Sequence, residues 1–523
     1  MTAFSENALL LDRRQVLKAG LAAGLAASMP AWASAADPKS IRIRLHGDIQ
    51  ILDPARWLSH PEAEVMDAIY SKLITYQAGS EWKWELDAAE SIEEVDATHI
   101  KFKLKPGLMW SNDFGEITAE DVKFSYERYK DPKTEASYAS DWEALDHVEV
   151  IDKYSGVIVL KEPFAPLWTS TLPFSSGTLL CKKAVEGIGG KVNTEVPASY
   201  GPYVIKEWTP KQRLILARNP AWQGAAPFYD EVVLLPIPDE KAAEIAYKAG
   251  EVECTQVGLS SVPDLQASPP AGSALKLQQS LSYVWLGLNV EHEQFKDERV
   301  RKAVSLAFDI DAVLMAAYFG VAQPATGLIP TGLIGHRTKP VPARDVEAAK
   351  ALLAEAGLGG GFKTTLSIEN RTDTLSAAQI IQASLAEVGI EVEIDVQDGG
   401  AFWSLGDGAS GERSKKLQMT YKEFTGAPDP AWSTQWFTPD QIGIWNWERW
   451  NSPEFAELHK QGLVERDSAK REEIYQKMGD LMAASYAYNF TTYPPYAFLF
   501  KDTIEAATLP NGWQIFRAFR AKA

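Results

Sequence analysis

The stretch TTLSIENRTDTLSAAQIIQASLAEVGIEVEIDV, residues 364–396, restricts the possible folds of this chain more than any other. Thr365 to Ile368 reads as a strand, and Ile380, Ile381, Leu385 and Val388 fall along one side of a helix. Gly389 ends that helix, and Ile390, Val392, Ile394 and Val396 then alternate as a second strand. This is a βαβ unit, which joins two parallel strands through a right-handed crossover. ERVRKAVSLAFDIDAVL and RDVEAAKALLAEAGL add further amphipathic helices, so the chain alternates helix and strand from about 285 to 490.

The first half is mixed. Ile41, Ile43 and Leu45 alternate with Arg42 and Arg44 until Asp53-Pro54 breaks the pattern, and HIKFKLKPG repeats the device with Ile100, Phe102 and Leu104. Thr118 caps a helix whose first turn holds Glu120 and Asp121, where the helix dipole favours negative charge. YVIKEWTPKQRLILAR reads as a hairpin about Pro210, EVVLLPI as another strand, and Gly250 stops a short helix. YVWLGLN follows as an apolar extended stretch.

The N-terminus carries a different kind of signal. Arg13 and Arg14 precede a short run of alanine, glycine and leucine, and a small-residue cleavage pattern follows at Ala31-Trp32-Ala33 or Ala33-Ser34-Ala35, the order of an export signal. DRRQVLK fits the twin-arginine pattern, read by a receptor, so residues 1–35 are expected to be a Tat signal peptide. The apolar run is far shorter than the ~20 residues that span a bilayer, and Pro30 closes it. The mature chain is therefore expected to be soluble and periplasmic, with material for two or three domains.

The formal net charge of −18 argues against nucleic acid and anionic membrane as partners. Two cysteines, Cys181 and Cys254, allow one bridge at most, and two separately buried thiols are the alternative. The seven histidines are scattered without metal-ligand spacing, so no metal or other cofactor is expected.

Six blocks, in order, resemble the periplasmic solute-binding proteins of the dipeptide and oligopeptide class (family 5) that serve ABC importers. They are ILDPARWLSHPEAEVMDAIYSKLITY, HIKFKLKPGLMWSNDFGEITAEDVKFSYERY, YGPYVIKEWTPKQRLILARNPAWQG, GLNVEHEQFKDERVRKAVSLAFDIDAVL, AAKALLAEAGL and NSPEFAEL. The resemblance implies an α/β, two-lobed periplasmic-binding-protein fold of the class II (cluster C) type. Lobe one would hold residues 36–78 and 191–284, with an inserted subdomain at 79–190 and a C-terminal return at 491–523; lobe two would hold 285–490. The two crossings would form a hinge that closes on a ligand touching both lobes. The implied role is capture of a short peptide by a monomer that delivers it to membrane permease subunits.

The resemblance also offers ligand-binding residues. In peptide-binding relatives an aspartate holds the ligand's amino group and an arginine its carboxylate. The matching segments place Asp429 and Arg371 there, and a guanidinium suits a carboxylate through two parallel hydrogen bonds. The alternative for both is a solvated loop position or a pairing within the protein. Trp403, Trp432 and Trp436 lie near the Asp429 loop, Trp285 at the expected hinge crossing, and Tyr421 on the strand before the loop. These aromatics suit a hydrophobic peptide or the flat face of a sugar, so an oligosaccharide or sugar conjugate is the second ligand class.

A Tat-exported enzyme is the competing class of function. The chain has no GxGxxG after a strand, no P-loop and no GxSxG, and no carboxylate pair stands out as a glycosidase would require. No enzymatic activity is expected.

Overall fold

The computed structural model describes residues 39–406 and 412–522. The expected signal peptide, residues 1–35, lies outside the described residues.

Two large sheets organise the molecule. The first has seven strands in the order Ser273–Gln278, Tyr496–Lys501, Cys254–Val257, Ser40–Leu45, Glu231–Pro236, Arg213–Arg218 and Tyr203–Thr209. The second has six, in the order Gln323–Pro324, Tyr488–Tyr493, Ser282–Leu288, Met419–Thr425, Phe362–Glu369 and Ile390–Gln397. The chain leaves the first sheet after Gln278 and enters the second at Ser282; it returns between Tyr493 and Tyr496. Ser280 Oγ donates to the Pro494 carbonyl at 2.6 Å, so the two crossings run side by side. These are the two lobes.

In the first lobe Ile41, Ile43 and Leu45 point into the core, as their alternation predicts. The arginines between them are not left to solvent. Arg42 pairs with Glu253, and the buried Arg44 donates to the carbonyls of Ile237, Pro238 and Gln256. A four-stranded antiparallel sheet, Ala89–Glu94, His99–Leu104, Ser155–Leu160 and Leu145–Val150, forms a subdomain on this lobe. Ile100, Phe102 and Leu104 are buried while His99, Lys101 and Lys103 are exposed, the one-sided burial of an antiparallel sheet.

The second sheet is covered on both faces. In strand Ser282–Leu288, Val284, Leu286 and Leu288 enter one apolar cluster, and Tyr283 and Trp285 enter another. This explains why YVWLGL is apolar throughout instead of alternating. The βαβ unit comprises strand Phe362–Glu369, helix Thr372–Ala386 and strand Ile390–Gln397, with the two strands parallel from Phe362↔Ile390 to Glu369↔Gln397. Gly389, at φ +84°, turns the chain after the helix in the left-handed region that favours glycine.

Cys181 and Cys254 are free and buried in different apolar clusters. No helix among the described residues is long and apolar enough to cross a membrane.

Candidate functional site

Three neighbouring strands of the second sheet run parallel, because Phe362–Glu369 pairs in that sense with both Ile390–Gln397 and Met419–Thr425. Their carboxyl ends therefore share one edge. The chain passes from the central strand to one neighbour and later crosses back to the other, so the switch point falls beside Phe362–Glu369. In open α/β sheets ligands bind in the crevice outside such a point.

The three ends deliver most of the sequence-predicted residues. Arg371 follows the first strand and N-caps helix Thr372–Ala386. Trp403 ends the short helix Gly399–Trp403 after the second strand. Glu423, Phe424 and Thr425 close the third, followed by helix Pro430–Thr434 with Trp432 and by Trp436. Together with Trp445, the rings of Trp403, Phe424, Trp432 and Trp436 bound a bowl of about 310 Å³ that Glu423 and Thr425 also line. Trp403 stacks on Phe424 at 5.9 Å, while Phe424–Trp445, Trp445–Trp436 and Trp436–Trp432 meet edge to face at 5.7–5.9 Å.

The bowl continues into the first lobe. Trp432 stacks on Tyr138 at 5.7 Å, Tyr138 on Trp57 at 4.8 Å, and Trp57 meets Trp513 edge-on at 5.6 Å. Glu62 fixes the loop that carries Trp57: its carboxylate accepts the backbone N–H groups of Gln50, Ile51, Leu58 and Ser59. His46 and His60 complete this wall with Tyr496. Burial lowers the two imidazoles to about 4 and about 3, so both are neutral at pH 7.

Arg371 sits at the rim with 43% of its side chain exposed. Its Nε and Nη2 meet the two oxygens of Asp373 at 3.1 and 2.7 Å, and Nη2 also reaches Glu423 Oε2 at 3.2 Å. Burial works against the charge on Arg371, but Glu423 and Asp373 outweigh it and raise the guanidinium further.

Asp429 lies elsewhere. It is fully buried, and its carboxylate accepts four hydrogen bonds: both Nη groups of Arg471 at 2.7 Å, Thr169 Oγ1 at 2.6 Å and the Ala431 N–H at 2.9 Å. Burial pushes its carboxyl up, yet Arg471 and these hydrogen bonds hold it below the usual range. The carboxylate matched to a ligand's amino group is thus spent on the protein itself. Asp429 borders a second cavity of about 430 Å³ between the subdomain and the second lobe, with Trp82, Glu94, Trp168, Arg466 and Arg471.

Trp285 and Tyr421 are buried in the sheet instead of lining the cleft. Both stand in central strands covered on two sides, where a large aromatic is packing material. Trp285 Nε1 donates to Glu448 at 2.8 Å, and Tyr421 lies 3.4 Å from the Tyr318 hydroxyl. Glu423, Trp445, Tyr138 and Trp57 were not singled out from the sequence. The switch-point rule applied to the end of strand Met419–Thr425 is the signal that finds Glu423.

Two α/β lobes joined by paired short crossings, with an aromatic bowl at the carboxyl edge of one facing aromatics of the other, define the class of two-lobed solute-binding proteins. The chain matches the family described as "Bacterial extracellular solute-binding proteins, family 5 Middle" over residues 83–443, and it belongs to that family. It is 24% identical to the glutathione-binding protein GsiB of Escherichia coli K12, over 90% of this chain and 92% of the relative. Among solved structures it is similar to DppA of Helicobacter pylori in complex with the peptide STSA (TM-score 0.77, 24% identity, 92% of this chain, 98% of that one). It is also similar to AgaA of A. tumefaciens R10 in complex with agropinic acid (TM-score 0.75, 23% identity, 92% and 99%). Both share the fold.

Proposed function

We propose that this protein is the periplasmic receptor of an ABC importer, capturing a short peptide between its lobes and presenting it to membrane permease subunits. The observation that carries this reading is the bowl at the switch point: Trp403, Trp432 and Trp436 stand beside Arg371 at one strand edge and meet Tyr138 of the other lobe. Arg371 Nη1 is the guanidinium nitrogen that Asp373 and Glu423 leave for a ligand carboxylate. The curated relatives carry glutathione-binding names, which supports a ligand with peptide character. Export through the Tat route, removal of residues 1–35 and a monomeric state belong to the same reading, as does binding without conversion. The five-ring bowl also suits a sugar conjugate, since indole faces stack on sugar rings.

The test is calorimetry of the mature chain with tripeptides, glutathione and oligosaccharides, combined with solution scattering. Micromolar peptide binding with a smaller radius of gyration is the expected result. Saturation by an oligosaccharide and by no peptide would move the assignment to the second class, and turnover of the bound solute would reject the receptor reading.

A further inference from the structure

We propose that the aromatic bowl is a seat for a cationic group of the ligand, an ammonium, guanidinium or quaternary ammonium; this rests on the reading of the cleft as the ligand site. The rings of Trp403, Phe424, Trp432, Trp436 and Trp445 surround about 310 Å³, and consecutive rings in contact are inclined by 29°, 83°, 67° and 87°. Rings inclined in this way line the cavity from several directions, and a bound group would contact the faces they turn to it. Those faces carry negative partial charge and attract a cation, most strongly for Trp.

The fixed charge at the rim has the same sense. Glu423 lines the bowl with 23% of its side chain exposed. Its Oε2 takes Arg371 Nη2, while its Oε1 accepts no hydrogen bond from any described residue. Arg371 is one positive charge set against Asp373 and Glu423, with Glu369 at the end of the preceding strand, so the rim is net negative. His46 and His60 on the facing wall are neutral and do not offset it.

Beneath the floor, Lys422 lies 4.0 Å from the Trp447 ring centre, 5.1 Å from Trp285 and 6.0 Å from Phe424. Its charge is balanced by Glu448 at 3.2 Å, so the floor adds no net repulsion. A ligand carboxylate in the bowl would face both the ring faces and Glu423, and it is directed instead to Arg371 outside.

The experiment titrates the mature chain, read by tryptophan fluorescence, with choline and with its uncharged isostere 3,3-dimethylbutan-1-ol. Choline is expected to saturate with a dissociation constant roughly tenfold lower than the isostere. Glu423→Gln is expected to narrow that difference to what the ring faces alone supply, with its melting midpoint confirming the fold. Equal or tighter binding of the isostere, or no saturable response to choline, overturns the proposal; the wild-type contrast needs no variant. Parallel titrations with Ala-Lys-Ala and Ala-Glu-Ala separate the two readings. Tripeptide binding without the choline contrast rejects the cation seat alone, whereas the contrast without tripeptide binding supports the seat and rejects the peptide assignment.

Discussion

Thr169 of the four-stranded subdomain donates its hydroxyl hydrogen to Asp429 Oδ2 of the second lobe at 2.6 Å, joining residues 260 apart in the chain. The same oxygen binds Arg471 Nη1, so the contact between subdomain and lobe is built onto a buried ion pair. Arg466 and Glu94 add a second link across the same gap. Thr169→Val keeps the shape and removes the donor. It is expected to cost ~1 kcal/mol of the contact and to enlarge the ligand-free radius of gyration measured by scattering. Asp429→Ala strands the Arg471 guanidinium in the interior and is expected to cost ~3–5 kcal/mol in urea unfolding.

Glu64, buried in helix His60–Ile69, accepts the Gln514 N–H at 2.8 Å. Burial pushes its carboxyl up to about 8, against the opposing hydrogen bonds from Gln514. Between pH 4.5 and 8 the folded protein keeps a proton that the unfolded chain has released, so this group removes stability as pH rises. Glu64→Gln is expected to match the wild type near pH 4.5 and to exceed it by on the order of 5 kcal/mol at pH 9, read from unfolding across pH. His46 and His60 act in the opposite sense. Their folded values lie below 6.5, so stability falls as pH drops from 6.5 toward 4 and 3. Both histidines are common to wild type and variant, so the difference between the two isolates Glu64.

Arg371→Ala separates the two ends of a zwitterionic ligand. Loss of the guanidinium is expected to weaken Ala-Ala-Ala by about tenfold, ~1.4 kcal/mol, and to leave its C-terminal amide nearly unaffected. Choline affinity is expected to hold or improve, because Glu423 loses its partner. An unchanged constant for Ala-Ala-Ala in calorimetry would reject the carboxylate role.

Local periodicity made much of this architecture legible. The βαβ unit, the hairpin strands Tyr203–Thr209 and Arg213–Arg218, and the Thr118-capped helix Ala119–Glu127 all follow from patterns of burial and capping within a few residues. The site was only half legible. Trp403, Trp432 and Trp436 converge because three strand ends share an edge, whereas Trp285 and Tyr421 lie one strand register deeper, where covered faces turn aromatics into core. The fate of Asp429 could not be read locally. Its partners stand 42 residues downstream and 260 upstream, and no spacing rule links such positions. Glu423 looks like an ordinary acidic residue until the sheet order places it at the switch point.

Lys422 and Glu448 form a fully buried pair under the bowl, 3.2 Å apart. Glu448 Oε1 also accepts the Trp285 N–H, and a side chain at Gly287 would collide with that carboxylate, so the strand is cut away to admit it. Among the described residues, Lys422 Nζ and Glu448 Oε2 have no partner in hydrogen-bond geometry. A pair held this way stabilises little beyond its own desolvation, but breaking it leaves a lone charge in the core. Lys422→Met is expected to cost ~3–5 kcal/mol, and the double variant Lys422→Met with Glu448→Gln to return within ~1 kcal/mol of wild type. Gln at 448 still accepts from Trp285. Burial also lowers the Lys422 ammonium to about 8, against the pull of Glu448. Between pH 8 and 10.5 the unfolded chain therefore binds the extra proton, and this group adds stability as pH rises. Urea unfolding of wild type and both variants at pH 7 and pH 10 measures the coupling and the slope together. A double variant as unstable as Lys422→Met alone would show that the pair contributes packing that a neutral core cannot replace.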